Sequence, residues 1–235
     1  MNIITNESLI KRNARISQVS MIGGLAVLAG GMFVSFRFTD PRYFYISLLA
    51  LLAGFILSQV GIFYANNYAR HPRPDESLNL GLKGLDGKYT LYHYMTPVPH
   101  LLVGPAGIWI LMPRNQKGRI SFAGGRWRQK GGNLYMKLFA QEGLGRPDID
   151  LESQVNKMTQ FFQENLPDGA VPPIQTALVF TNPNVVIDIP EGTEPSGETV
   201  KTDKLKETVR KAAKTKTITP LQIQQITALF PEESK

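Results

Sequence analysis

Three carboxylates stand at alternate positions, Asp148, Asp150 and Glu152. Such a group could hold a hard divalent cation, which wants oxygen ligands. It could equally occupy a first helical turn, where acids cap free N–H groups and complement the dipole. The stripe Val155, Met158, Phe161 and Phe162 that follows at helical spacing favours the second reading. His71, His93 and His100 are too few and too scattered to suggest a zinc site. The chain has no cysteine, which excludes disulfides, thiolate metal ligands and cysteine nucleophiles. Gly104-Pro105-Ala106-Gly107 invites comparison with a phosphate-cradling loop, but the helix that such a loop needs does not follow. Proline at its first central position and a glycine free to take positive φ make it a hairpin turn instead.

The cations are as informative. Lys201, Lys204, Lys206, Arg210, Lys211, Lys214 and Lys216 form a basic run diluted by Asp203 and Glu207. Leu205, Val209 and Ala212 give it one apolar face, so a solvated surface helix is the plainer reading. As a docking site it would meet anionic lipid or nucleic-acid phosphates. The net charge of +7 permits either partner without choosing between them.

The elements that carry these residues divide sharply. Although 43% of the 235 residues are hydrophobic, the apolar residues crowd before residue 70. Ile16 to Phe36 contains no ionisable residue, and a second apolar block runs from Tyr43 to Ala69. Each reaches the roughly 20 residues that a helix needs to cross a bilayer. The first is long for a cleaved signal, and Phe33, Phe36 and Phe38 occupy the end where small residues would mark cleavage. Both blocks are therefore expected to persist as a transmembrane hairpin. Ala50, Gly54 and Ser58 in the second helix, with Ala26 and Gly30 in the first, are the expected small-residue seam. Lys11, Arg12 and Arg15 before the hairpin and Arg70 and Arg73 after it predict that both termini are cytoplasmic.

The expected organisation is a segment at 1–15, the hairpin at 16–69, a linker at 70–74 and a soluble domain at 75–235. In that domain Asp75 to Leu85 reads as a helix, followed by strands near 88–95, 100–103, 108–112, 119–122 and 125–129. A helix over 150–165, strands over 174–180 and 185–189, and helices over 202–214 and 220–229 complete it. The order implies an α/β domain with a mixed sheet and flanking helices.

One stretch, Pro97-Val98-Pro99-His100-Leu101-Leu102-Val103-Gly104-Pro105-Ala106-Gly107-Ile108-Trp109-Ile110-Leu111, resembles the core of the nuclease-related domain, NERD. That family looks like part of the restriction-endonuclease-like superfamily. Lys117-Gly118-Arg119-Ile120, Trp127, Gln154 and Ala177-Leu178-Val179-Phe180-Thr181 extend the resemblance over most of 74–230. The resemblance implies a restriction-endonuclease-like domain whose carboxylates hold Mg²⁺ while a lysine positions or activates water. Glu76 and Gln154 match the family's pattern, but its aspartate falls on Pro99, its glutamate on Met112 and its lysine on Arg114. Proline and methionine offer no hard side-chain oxygen, and an arginine is too basic to serve as a general base.

The leading expectation is thus a membrane-anchored, catalytically inactive module without cofactor, acting by binding or interaction at the cytoplasmic face. An active Mg²⁺-dependent nuclease with displaced carboxylates, Asp86 or Glu142 substituting, is the alternative. A structural subunit packed against protein partners in the membrane is a third reading.

Overall fold

The computed structural model describes residues 1–37, 40–131, 143–169, 171–190, 192–193, 195–215 and 218–233. Among the described residues the chain separates into two compact units, one holding residues 8–73 with the helical hairpin and the other holding residues 1–7, 74–131 and those from 143 onward.

In the hairpin unit, α1 spans Glu7–Arg37 and α2 spans Pro41–Tyr64, continuing as one wider turn over Ala65–Ala69. Both helices are long and apolar enough to cross a membrane. At about 1.5 Å per residue, α1 exceeds a hydrocarbon core of about 30 Å, which leaves room for its polar start at Lys11, Arg12 and Arg15. The seam is built from small residues seven apart: Ser17, Gly24 and Gly31 on α1 against Gly61, Gly54 and Ser47 on α2. A Cβ on Gly24 would lie 3.0 Å from the Gly54 carbonyl oxygen, and one on Gly54 would lie 2.9 Å from the Gly24 carbonyl oxygen. The Ser47 hydroxyl donates to the Gly31 carbonyl at 2.7 Å. Seven-residue spacing keeps one stripe facing a partner along both helices, and small residues let the backbones close. Ala50, Gly54 and Ser58 thus line the seam as expected, with Ala50 against Gly31 and Ser58 against Gly24. Gly30 does not, since a Cβ there meets nothing within 4 Å. On α1, four-residue spacing singled out Gly30, the neighbour of the glycine that makes contact.

The other unit is a mixed α/β fold. A six-stranded sheet has the order β1 (Asn2–Thr5), β2 (Thr90–His93), β3 (His100–Gly104), β4 (Gly107–Arg114), β7 (Ile174–Phe180), β9 (Glu198–Lys201). Strands β2, β3 and β4 are antiparallel neighbours, while β1 on β2, and β7 and β9 beyond β4, pair in parallel. Gly107, at φ +97°, closes the β3–β4 turn as the sequence requires. A smaller sheet orders β6 (Arg126–Lys130), β5 (Gly118–Ala123) and β8 (Val185–Asp188).

Alternation along the strands gives the large sheet two buried faces. Leu91, Leu102, Trp109 and Leu111 point to one face, covered by α3 (Pro74–Leu82) and α5 (Thr202–Thr215). Leu101, Val103, Ile108 and Ile110 point to the other, covered by α4 (Pro147–Asn165) through Met158 and Phe162 and by α6 (Pro220–Thr227) through Ile226. Sheets sandwiched this way read as nearly continuous apolar runs, which is why β4 is so legible. Two strands had no signal in the sequence reading. Strand β1 lies where only a segment preceding the first apolar block is expected, and β9 lies just before the helix expected from 202, where no strand is expected. Both are four-residue edge strands, too short to display a period.

Candidate functional site

The end of β4 and the start of α4 gather most of the residues singled out by sequence. Beyond Ile110, β4 has outrun its pairing with β3 but continues against β7 to Arg114 and Phe180. Pro113 therefore removes no hydrogen bond from the β3 ladder. Met112, 5% exposed, packs with Leu151, Leu178 and Phe180. The Arg114 backbone is held by Thr181, whose amide donates to the Arg114 carbonyl at 2.9 Å.

Two residues beyond Met112, the Arg114 guanidinium reaches the Met112 sulfur at 3.4 Å and makes an ion pair with Asp150 in the opening turns of α4. Gln154 follows Asp150 by one helical turn, so both rise from one side of α4. Gln154 Oε1 and Arg114 Nε are buried, and neither has a hydrogen-bond partner among the described residues. Pro99 lies just before β3, and the β3–β4 register continued by two residues sets it level with Met112. Met112, Arg114 and Gln154 thus share one end of one face, with Pro99 on the adjacent chain.

Glu76 rises from a different helix. It belongs to α3, whose Leu78 and Leu82 pack on the opposite side of the sheet. The carboxylate that stands beside Arg114 is Asp150 instead. Asp148 and Asp150 occupy the first turn of α4, in keeping with their role at a helix start. Among the described residues no group of three or more potential metal ligands is gathered. Asp86 Oδ1 accepts the Lys88 amide at 2.9 Å in the turn before β2, while Glu142 lies outside the described residues.

This arrangement has a chemical consequence. A guanidinium stays protonated, so it can neutralise Asp150 or receive an anionic group but cannot abstract a proton. The Asp150 charge is already shared with Arg114, and the Met112 sulfur is a poor partner for a hard cation.

The basic run resolves into separate roles. Lys206 donates to the Lys83 carbonyl at 3.1 Å and Arg210 to the Gly84 carbonyl at 2.8 Å, so both serve the free carbonyls beyond the end of α3. Lys204 pairs with Glu207 at 3.4 Å. Lys211 and Lys214 are exposed, Lys201 is half-buried at the end of β9, and Lys216 lies outside the described residues. Leu205 and Val209 bury the inner face of α5, as a surface helix requires.

Sequence reasoning missed a histidine pair. The β2–β3 register sets His93 opposite His100, and their Nδ1 atoms are 2.8 Å apart in a buried position. His93 Nε2 lies 3.0 Å from Asn79 Oδ1, an acceptor, so this nitrogen carries a proton. In neutral His93, Nδ1 then accepts from His100 Nδ1–H. Burial, and secondarily the charge that His93 would carry, hold His100 well below the ordinary 6.5. Only the hairpin register brings the two histidines together.

Compared with family models, curated proteins and solved structures, the chain matches none.

Proposed function

We propose that this chain is a membrane-anchored NERD-like protein whose restriction-endonuclease-like domain has lost its chemistry and acts as a binding or interaction module on the cytoplasmic side. The observation that carries this reading is the end of β4, where Met112 is core and Arg114 is tied to Asp150. The order of α3, β2, β3, β4, α4 and β7, with the two helices on opposite faces, supports the nuclease-like part. The placement of Glu76 on a helix that packs on the other face weakens any two-carboxylate site there. Strand β1 and the domain after Pro74 belong to one unit, so both ends of the hairpin join the same unit, which suits two crossings. Basic flanks on that side favour the cytoplasm.

The test is phosphodiester cleavage by the purified full chain with Mg²⁺ or Mn²⁺, using both DNA and RNA. The expected result is no turnover above that of an Asp150→Asn variant. Metal-dependent cleavage abolished by Asp150→Asn or Asp86→Asn would overturn the reading in favour of an active nuclease with relocated carboxylates.

A further inference from the structure

The basic run of α5 is largely occupied by structural work, but a second cationic surface is not. Residues alternate across the small sheet, so Ile120 and Trp127 turn inward onto the core and Phe122 is buried, with the Phe122 and Trp127 rings 5.0 Å apart. Their neighbours turn outward: Arg119 opposite Lys130, Ser121 opposite Arg128, and Ala123 opposite Arg126. All four cations are exposed. Arg119 shares its charge with Asp188 at 3.2 Å. Among the described residues no carboxylate pairs with Arg126, Arg128 or Lys130. Strands about 5 Å apart with alternate residues about 7 Å apart make this a flat cationic array.

We infer that the outer face of the β5–β6 hairpin binds the headgroups of anionic lipid in the bilayer that holds α1 and α2. Among the described residues this face carries no aromatic side chain on which a base could stack, since Phe122 is buried and Trp127 packs half-buried against the core, and this counts against single-stranded nucleic acid. The domain resumes at Pro74, four residues after Arg70, so a bilayer holding the hairpin presents headgroups at high effective concentration. A polybasic surface beside a membrane is drawn to acidic lipid, an attraction that salt screens. This inference rests on the membrane anchoring proposed above, but not on the nuclease resemblance.

The cysteine-free sequence permits a direct test. The full chain carrying Ala123→Cys, labelled with an environment-sensitive dye, is reconstituted in vesicles of neutral phosphatidylcholine or with added phosphatidylglycerol. The expected result is emission at least twofold higher in the anionic vesicles, reversed in 1 M salt and absent in R126E/R128E/K130E. Equal emission in both vesicle types, or an unchanged response in the triple variant, would overturn the inference. So would a response only to added DNA or RNA, which would assign the face to nucleic acid. The substituted side chains are exposed, and an unchanged melting temperature confirms that the variant folds. Flotation with neutral vesicles at high salt tests anchoring separately, so its failure is distinguishable from failure of the lipid contact.

Discussion

At the scale of single residues, the His93–His100 pair has the clearest consequence. A histidine that is buried and neutral when folded, but free to charge near 6.5 when unfolded, binds fewer protons in the native state. Its contribution to stability is therefore intact above 6.5 and declines as pH falls from 6.5 toward the lowered folded value. The expected slope approaches about 1.4 kcal/mol per pH unit for one such group. Denaturant unfolding of the full chain in detergent between pH 7 and pH 5 checks this, with His100→Gln expected to flatten the profile. A profile unchanged by that substitution would show that other groups set the acid sensitivity. Asn79 on α3 and the Tyr94 ring, 5.0 Å from the His100 ring, face the pair from the neighbouring segments. Arg114 and Asp150 are a contrasting case. Their side chains are 25% and 48% exposed, so the pair is worth at most about 1 kcal/mol, and its interest is chemical.

At the scale of elements, the hairpin separates spacing from contact. Gly24, Gly31, Gly54 and Gly61 lie in the seam, whereas Gly23 and Gly30, one residue away, face open space. Gly54→Leu is expected to force α1 and α2 apart, because even a Cβ would come within 2.7 Å of Leu28. Gly30→Leu should be tolerated. Thermal aggregation of the two variants in detergent measures the difference, with a clear drop expected only for Gly54→Leu. Equal behaviour would mean that the seam does not hold the hairpin together. Both blocks were legible as helices long and apolar enough to cross a membrane, because length and apolarity act locally. The seam was legible on α2 but not on α1, where every fourth and every seventh residue give competing stripes in a helix rich in glycine.

At the scale of the whole molecule, strand β1 makes the helical hairpin an excursion from the sheet domain. The chain begins in that domain at Asn2–Thr5, departs through α1 and re-enters at Pro74. A cysteine at exposed Lys211 should resist an impermeant thiol reagent in intact cells, while one at Asp40, between the helices, should react. Labelling at position 211 from outside would reverse the proposed orientation.

What the sequence by itself determined was set by local rules: two apolar blocks of membrane length, a hairpin turn at Gly104–Gly107, and the apolar runs of β3, β4 and β7. Helix α4 was equally plain, since its stripe of Val155, Met158 and Phe162 repeats at a helical interval. The tertiary structure alone decided the rest. Strand β1 has four residues and becomes a strand only because β2 offers it an edge more than eighty residues away. The helix that carries Glu76 and the cluster that holds Met112 pack on different faces of the sheet, which no linear spacing can distinguish. Lys206 and Arg210 look like a charge run until the end of α3 is folded against them. His93 and His100 look scattered until an antiparallel register places them ring to ring. Each of these depends on which strand or helix lies next to which, and adjacency is a property of the packed chain.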